Sequence, residues 1–408
     1  MSNLRIDGDR LWQSLMAMAE VGPGVAGGSC RLALTDLDRA GRALFQGWAE
    51  AAGCTAHLDA MGNLFLRRPG SDPDAAPVMT GSHLDTQPTG GRFDGVYGVL
   101  AGLEVMRTLN DANITTRAPL EVVVWTNEEG SRFSPPMIGS GVFAGVFDLS
   151  YGLERPDQAG TTTIGAELTR LGWRGEGTSR PVAAYFEAHI EQGPVLEAAG
   201  CQIGVVTGAQ GQRWYEVTVI GQEAHAGPTP MRLRRDALVA SARMIDAVNA
   251  IGHEQAPYAC ATVGQVTVHP NSRNTIPGRV FFTVDFRHPV DATLTAMDHA
   301  LRSRCQAIAD TTGCTLEIKE FWYFPPTPFD PACVAAVRRG AERLGVRHQD
   351  IISGAGHDAV YLARVAPTAM IFVPCEGGIS HNEVENAKPE DLALGCQILL
   401  EAMLERAG

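Results

Sequence analysis

Apolar runs alternate with helical segments through the first half of the chain. Residues 120–125 (Leu-Glu-Val-Val-Val-Trp) are nearly all apolar and β-branched, which is typical of a strand buried on both faces. Residues 77–80 and 182–189 are also strand-like, and residues 96–106 continue as a predicted helix. This alternation predicts an α/β fold with a mixed, mostly parallel sheet and helices on both faces.

The pattern changes after residue 210. The following segments predict a β-α-β-β-α-β order: strands at 214–220, 261–268, 279–287 and 315–322, with helices at 235–251 and 292–310. Such an order indicates an α+β domain, a four-stranded antiparallel sheet with two helices. From residue 331 the helix–strand alternation of the first half resumes. We therefore predict a catalytic, metal-binding domain at 1–210 and 326–408, with a second domain inserted at 211–325.

Composition and charge exclude several classes of function. The 408 residues suffice for two domains, and a formal net charge of −13 argues against nucleic acid or an anionic membrane as a partner. No segment is long and apolar enough to span a bilayer, and residues 1–7 lack the pattern of a secretory signal. The nine cysteines are scattered and form no CxxC pair, which indicates reduced thiols and predicts a cytoplasmic location.

Four stretches of the predicted α/β domain carry side chains suited to metal ions. They are the glycine-rich residues 81–95, the acidic residues 127–130, residues 187–193 with a central histidine, and residues 379–383 with another. Each follows a predicted strand or lies in a glycine-rich loop, where α/β sheets usually present their ligands. We interpret the four together as one hydrolytic site for two metal ions.

A two-ion site needs a shared carboxylate, further oxygen or nitrogen donors, and open positions for water and substrate. Asp94 is predicted to bridge the ions. His83 and His189 would complete one site, and Glu129 and His381 the other.

Two further acidic residues have predicted roles beside the ligands. Asp85 is placed to accept the proton on the second imidazole nitrogen of His83, which would fix its tautomer. Glu128 and Glu129 are neighbours on an extended segment, so their side chains diverge and only one need bind metal. Glu128 is therefore the predicted acceptor of a proton from the attacking water.

Each motif also has an ordinary structural interpretation. A His-x-Asp in a glycine loop is often a turn, a Glu-Glu pair is usually a solvated surface, and single histidines are often only hydrogen-bonded. The coincidence of all four in one predicted α/β half favours the site. Five further histidines (His57, His253, His269, His299 and His348) lack such surroundings and are predicted to be structural or exposed.

The order His83, Asp94, Glu128-Glu129, His189, His381 resembles the M20-type dinuclear metallohydrolases, which include carboxypeptidase G and aminoacylase. It is most similar to their amidase branch: N-carbamoyl-L-amino acid hydrolases, β-ureidopropionases and allantoate amidohydrolases. The features shared with that branch are the short spacing from His83 to Asp94, histidine at 189, Trp-Thr-Asn-Glu-Glu-Gly-Ser-Arg-Phe at 125–133, and His-Ile-Glu-Gln-Gly at 189–193.

The resemblance implies that the inserted domain is a lid that also forms a homodimer, with residues of both subunits completing each site. By position, His225 would polarise the scissile carbonyl from the partner subunit, and Asn274 would contact substrate. Arg287 would hold the substrate carboxylate, and its place in an alternating strand predicts that it lies on the polar face of the sheet. Without the resemblance, Arg287 would be interpreted as an exposed arginine paired with Asp285. Gln192, Arg213 and Gly356 are further candidates for contact with substrate.

These residues predict a metal-dependent amidohydrolase that cleaves N-carbamoyl-L-amino acids to the free amino acid, ammonia and carbon dioxide. The alternatives within the same chemistry are a β-ureidopropionase, an allantoate amidohydrolase or an N-acyl amino acid deacylase. A different class of function, a catalytically silent binding or scaffold protein, is disfavoured because every predicted ligand and Glu128 are present. The mixed donors suit zinc, manganese, cobalt or nickel, two ions per subunit.

Overall fold

A computed structural model describes residues 4–408, which divide into two compact units. The first contains residues 4–207 and 328–408, and the second is Gly208–Thr327. These breaks lie within three residues of the boundaries expected at 210/211 and 325/326. None of the helices described in 4–408 has both the length and the apolarity needed to cross a membrane.

The elements of the first part of the chain are α1 (Gly8–Ala19), α2 (Asp36–Ala51), β1 (Thr55–Leu58), β2 (Leu64–Arg68), β3 (Val78–His83), α3 (Val96–Asp111), β4 (Leu120–Trp125), α4 (Ile138–Phe143), α5 (Leu149–Leu153), α6 (Ile164–Leu171), β5 (Ala184–Ile190), α7 (Val195–Ala199) and β6 (Ile203–Ala209). They are followed by β7 (Gly211–Ile220), β8 (Ala224–His225), α8 (Ala237–Glu254), β9 (Cys260–Thr262), β10 (Val266–His269), β11 (Thr275–Ile276), β12 (Arg279–His288), α9 (Asp291–Thr312), β13 (Thr315–Phe324) and β14 (Thr327–Pro328). The chain ends with α10 (Pro331–Leu344), β15 (His348–Ser353), α11 (Asp358–Leu362), β16 (Thr368–Val373) and α12 (Pro389–Ala407). Short 3₁₀ turns lie at Met231–Leu233 and Glu376–Gly378.

The first unit contains a nine-stranded sheet in the order β1-β2-β4-β3-β5-β16-β6-β14, with β15 paired to β6. Its centre, β4-β3-β5-β16, is parallel, whereas β1–β2, β2–β4 and β16–β6 are antiparallel. Every residue of the four central strands is buried, which accounts for their nearly continuous apolar sequences. The predicted mixed sheet is therefore confirmed, and its parallel centre brings four carboxyl ends to one edge.

The second unit is built on an antiparallel sheet in the order β10-β12-β7-β13, with β9 also paired to β12. Helices α8 and α9 bury their apolar residues with those of this sheet. The prediction of four strands was wrong in one respect, because the strand expected at 261–268 is two strands. Residues 263–265 stand opposite only Thr283 and Val284, so the extra residue forms a bulge, and Gly264 within it gives the strand no side chain to pack.

Candidate metal centre and active site

The predicted ligands of the first unit meet at the carboxyl edge of the parallel strands. His83 ends β3, the Glu128-Glu129 pair follows β4, and His189 lies near the end of β5. His381 follows β16 in the loop that precedes α12. Because β4, β3, β5 and β16 are neighbours in the sheet, residues far apart in sequence lie side by side.

Asp94 lies at the centre of this group. Its Oδ1 atom is 3.3 Å from His189 Nε2 and 3.8 Å from His83 Nε2. Its Oδ2 atom is 3.3 Å from His381 Nε2, which is also 3.4 Å from Glu129 Oε2. Two potential metal-binding groups, His83–Asp94–His189 and Asp94–Glu129–His381, therefore share Asp94. We call the first the inner group and the second the outer group.

The donors of the inner group fit a cation. Nδ1 of His83 is 2.8 Å from the carbonyl oxygen of Asp85, and Nδ1 of His189 is 2.9 Å from that of Ile190. A carbonyl oxygen only accepts, so each Nδ1 carries the proton and each Nε2 can present a lone pair toward Asp94. Without an ion, a proton on Nε2 of His189 joins the ring to the buried carboxylate of Asp94, and a divalent ion between the donors would take the place of that proton.

The pKa shifts have the same electrostatic origin. Burial lowers the pKa of His83 to about 4. Burial also opposes charge on His189 and on Asp94, but their hydrogen bond outweighs it, raising the pKa of His189 to about 9 and, together with His381, holding the pKa of Asp94 well below its usual range. Positive charge is thus favoured next to Asp94.

A glycine makes the close approach of Asp94 and His83 feasible. Gly95 adopts φ of +67°, and a Cβ atom at this position would overlap the imidazole of His83. Its N–H group also donates to Nε2 of His189 at 3.2 Å. The residue after Asp94 must therefore be glycine, both for the left-handed backbone and for the space.

The predicted contact between the Asp85 carboxylate and the imidazole of His83 was wrong. The backbone carbonyl of Asp85 orients that ring, while the carboxylate accepts the N–H groups of Glu128 at 3.3 Å and Glu129 at 3.2 Å. Because the backbone carbonyl of Asp85 already contacts Nδ1 of His83, the carboxylate of Asp85 can accept from the segment that follows β4. Burial, and next the nearby Asp38, raise the pKa of Asp85 to about 7.

The two neighbouring glutamates diverge, as predicted for adjacent residues. Asn127 adopts φ of +57°, and its side chain amide donates to the carbonyl oxygen of Phe133 at 2.8 Å. Beyond this turn, Oε2 of Glu128 lies 3.4 Å from His83 Nε2, whereas Glu129 faces His381. Glu128 therefore lies beside the inner group, whereas Glu129 belongs to the outer group.

Different neighbours hold the two glutamates. Burial raises the pKa of Glu128 well above its usual range, as do the carboxylates of Asp358 and Glu129. Glu129 accepts from Gln87 twice, through the backbone N–H at 3.1 Å and the side chain amide at 2.7 Å. Glu128 is thus a buried carboxyl group with raised proton affinity beside the metal-binding groups.

Two other predicted residues of the first unit lie at the same site. Gln192 donates from Nε2 to Asp94 Oδ2 at 3.0 Å and to Ser380 Oγ at 3.2 Å. Gly356 directly precedes His357, whose ring centroid is 4.5 Å from that of His189. Gln192 therefore contacts the shared ligand, and Gly356 adjoins a histidine that packs against His189.

In the second unit, His225 and Asn274 lie together on a two-stranded ribbon. His225 in β8 pairs with Thr275 in β11, and the carbonyl of Asn274 accepts the N–H of Ala226 at 2.9 Å. Nδ1 of the exposed His225 accepts the N–H of Gly227 at 3.1 Å. The neutral ring therefore carries its proton on Nε2, which can act as a donor.

Arg287 and Arg213 lie on opposite faces of the second sheet. Strand β12 alternates between buried and partly exposed residues, and Arg287 is on the partly exposed face, where it contacts Asp285 at 2.9 Å. Arg213 pairs in register with Phe286 on the helix-covered face, where its guanidinium contacts Thr295 and Glu320 at 3.0 and 3.3 Å. Arg287 pairs with Gln212, and adjacent positions of a strand alternate faces, so the two arginines lie on opposite sides of the sheet. The contact of Arg213 with substrate stays a prediction.

Sequence reasoning missed several polar residues around the ligands. Glu187 accepts from Ser82 at 2.7 Å and lies two positions before His189, so the alternation of β5 could have placed it on the same side. His357 follows a Gly-Ala-Gly stretch after β15, a signal like the one in residues 81–95. Glu385, which accepts the N–H group of Asp94 at 3.1 Å, had no sequence signal beyond its distance of four residues from His381.

Comparison with known proteins agrees with this geometry. Residues 79–405 match the model of Peptidase family M20/M25/M40. An N-carbamoyl-L-amino-acid amidohydrolase from Rhizobium meliloti is 53% identical over 407 residues, covering 99% of this chain and 98% of the relative. A protein of the same name from Geobacillus stearothermophilus is 39% identical over 410 residues, covering 98% of this chain and 99% of the relative.

Among solved structures, a hydantoinase/carbamoylase family amidase from Burkholderia multivorans is 63% identical with a TM-score of 0.97, covering 100% of this chain and 99% of the other. Together with the family match, these similarities extend over nearly the whole sequence. The chain belongs to Peptidase family M20/M25/M40.

Proposed function

We propose that this chain is a divalent-metal-dependent amidohydrolase that cleaves the carbamoyl C–N bond of N-carbamoyl-L-amino acids. The observation that carries the proposal is the pair of ligand groups sharing Asp94 next to the buried Glu128. The 53% identity to an N-carbamoyl-L-amino-acid amidohydrolase selects the substrate class. The products would be the free amino acid, ammonia and carbon dioxide.

Two ions per subunit are proposed, one in each group. The inner group offers two imidazoles and the outer group offers Glu129 with His381, and both use Asp94. These donors suit zinc, manganese, cobalt or nickel. When bound, the ions would supply Lewis acidity that activates water and polarises the ureido carbonyl.

Glu128 is proposed to move the proton. Its buried carboxylate lies 3.4 Å from His83 Nε2, where it could accept a proton from the attacking water and pass it to the departing amino nitrogen. Asp85 would act on this step indirectly, because its carboxylate holds the backbone N–H groups of Glu128 and Glu129. We therefore propose Asp85 as a positioning residue.

Substrate contacts are proposed from both units of the chain. His225, with its proton on Nε2, would donate to the developing oxyanion, contributed by the partner subunit of a homodimer. Asn274 adjoins it on the ribbon, Gln192 contacts Asp94, and Gly356 precedes His357 in the sequence. Arg287 now contacts the carboxylate of Asp285, and we propose that the substrate carboxylate takes the place of Asp285 at this guanidinium.

We also propose that the protein works in the cytoplasm, a reducing compartment, because its nine cysteines are free thiols.

The purified protein is expected to release amino acid and ammonia in equal amounts from N-carbamoyl-L-amino acids. A panel should include N-carbamoyl-β-alanine, allantoate and N-acyl amino acids, with the D-enantiomers as stereochemical controls. A higher kcat/KM on one of these other substrates would replace the proposed substrate with that one. Absence of turnover across the panel, in protein loaded with metal, would favour a binding or scaffold role.

Glu128→Gln is expected to lower kcat by about 100- to 10,000-fold, because the proton acceptor is lost. Its metal content should stay at the wild-type level, since Glu128 belongs to neither ligand group. Glu129→Gln is the matched variant at the adjacent position, and it should lose metal as well as activity. Elemental analysis with steady-state kinetics separates the two. Near-normal turnover by Glu128→Gln would rule out its proposed role.

Arg287→Ala is expected to raise KM for N-carbamoyl-L-amino acids by about tenfold or more, because a charged hydrogen-bond pair to the substrate carboxylate is removed. The effect should disappear with an N-carbamoyl amine, which has no carboxylate. Arg279→Ala is the control, because Arg279 lies on the same face at the far end of β12. It should leave KM unchanged for both substrates. An equal loss on both substrates would show that Arg287 only stabilises the sheet with Asp285.

A further inference from the structure

Glu385 is a buried carboxylate to which the proposed chemistry gives no task. It lies four residues beyond His381, and only 1% of its surface is exposed. Oε1 accepts the backbone N–H groups of Phe93 at 2.9 Å and Asp94 at 3.1 Å. Oε2 accepts the hydroxyl of Ser380, the neighbour of His381, at 2.8 Å. One side chain thus joins the loop of Asp94 to the loop of His381.

The space for this carboxylate is provided by the sequence. A Cβ atom on Gly91 would overlap the carboxyl group of Glu385, so the glycine-rich loop leaves room for it. Ser380 extends the connection, because its hydroxyl is also 3.3 Å from Asp94 Oδ2 and accepts from Gln192 at 3.2 Å. These contacts form a continuous network behind the shared ligand.

The inner and outer groups differ in how firmly the fold holds them. His83 and His189 lie in buried central strands, with their rings oriented by backbone carbonyls. His381 lies in a loop with φ of +53°, and 51% of its side chain is exposed. The outer group therefore needs an anchor that the sheet does not provide.

We propose that Glu385 is the positioning residue of the outer metal site and sets its affinity separately from that of the inner site. This inference rests on the two-ion centre proposed above. By fixing the backbone of Asp94 and, through Ser380, the start of the His381 segment, Glu385 holds two of the three outer ligands in register. Asp94 belongs to both groups, but the other two ligands of the inner group, His83 and His189, are held by contacts that do not involve Glu385.

The test is a titration of metal-free protein with Co²⁺, followed by its visible absorption and by calorimetry. Wild type should bind two ions in two distinguishable steps. Glu385→Ala should weaken the outer step by about 10- to 100-fold, as expected for loss of a residue that orients ligands, and change the inner step by less than about threefold.

Two variants separate this role from general destabilisation. Glu385→Gln should retain both steps, because its amide oxygen can accept both N–H groups and its NH₂ group can contact Ser380. Glu376→Ala is the matched control in the same loop, since Glu376 contacts Asn386 and no ligand, and it should bind as wild type does.

The outcomes distinguish the inference from the proposal on which it rests. Equal weakening of both steps, or no change, in Glu385→Ala would overturn the role of Glu385. If that variant does not fold, Ser380→Ala replaces it and should weaken the outer step alone; unchanged binding would overturn the inference. A single binding step in wild type would contradict the two-ion centre itself, and with it the selective role of Glu385.

Discussion

The burial of Asp94 among three histidines is the constraint on which the site depends. A carboxylate that is 4% exposed must be compensated by positive charge and hydrogen bonds, or its burial would destabilise the fold. His189 and His381 contact its two oxygen atoms, and Glu385 accepts its backbone N–H group. The glycine at 95, the parallel strand ends and the loop after β16 all serve to bring these partners together.

Around this centre the protein buries more carboxyl groups than histidines. Buried carboxyl groups surround the three histidines: Asp85, Asp94, Glu128, Glu187, Asp358 and Glu385. Several of them have a raised pKa because burial and one another's charge oppose ionisation. Divalent cations would relieve this repulsion, so the folding of the site and its proposed chemistry have the same electrostatic requirement.

The sequence predicted well which side chains meet at the edge of the sheet, because of where they occur. His83, Glu129 and His189 adjoin nearly continuous apolar runs, and such runs become the central strands whose ends meet. The second unit was predicted in its order of elements, but the bulge at Gly264 divided one strand. Periodicity alone does not reveal a bulge, since each half of the segment still reads as strand.

Side-chain partners were harder to predict than positions. The carboxylate of Asp85 was predicted to contact His83 because the two residues are close in sequence. In the structure the backbone carbonyl of Asp85 contacts the imidazole, and the carboxylate accepts N–H groups of the segment after β4. Arg213 was assigned by position in a resemblance, although the register places it opposite to Arg287. Glu385 could not be distinguished from Glu383 by sequence, since only the fold brings it against Asp94.

Anomalous X-ray scattering from crystals loaded with zinc or manganese tests the shared role of Asp94 most directly. Two anomalous-difference peaks are expected on either side of its carboxylate. One should adjoin His83 and His189, and the other Glu129 and His381. A single peak under saturating metal, or peaks remote from Asp94, would contradict a centre built on this bridging carboxylate.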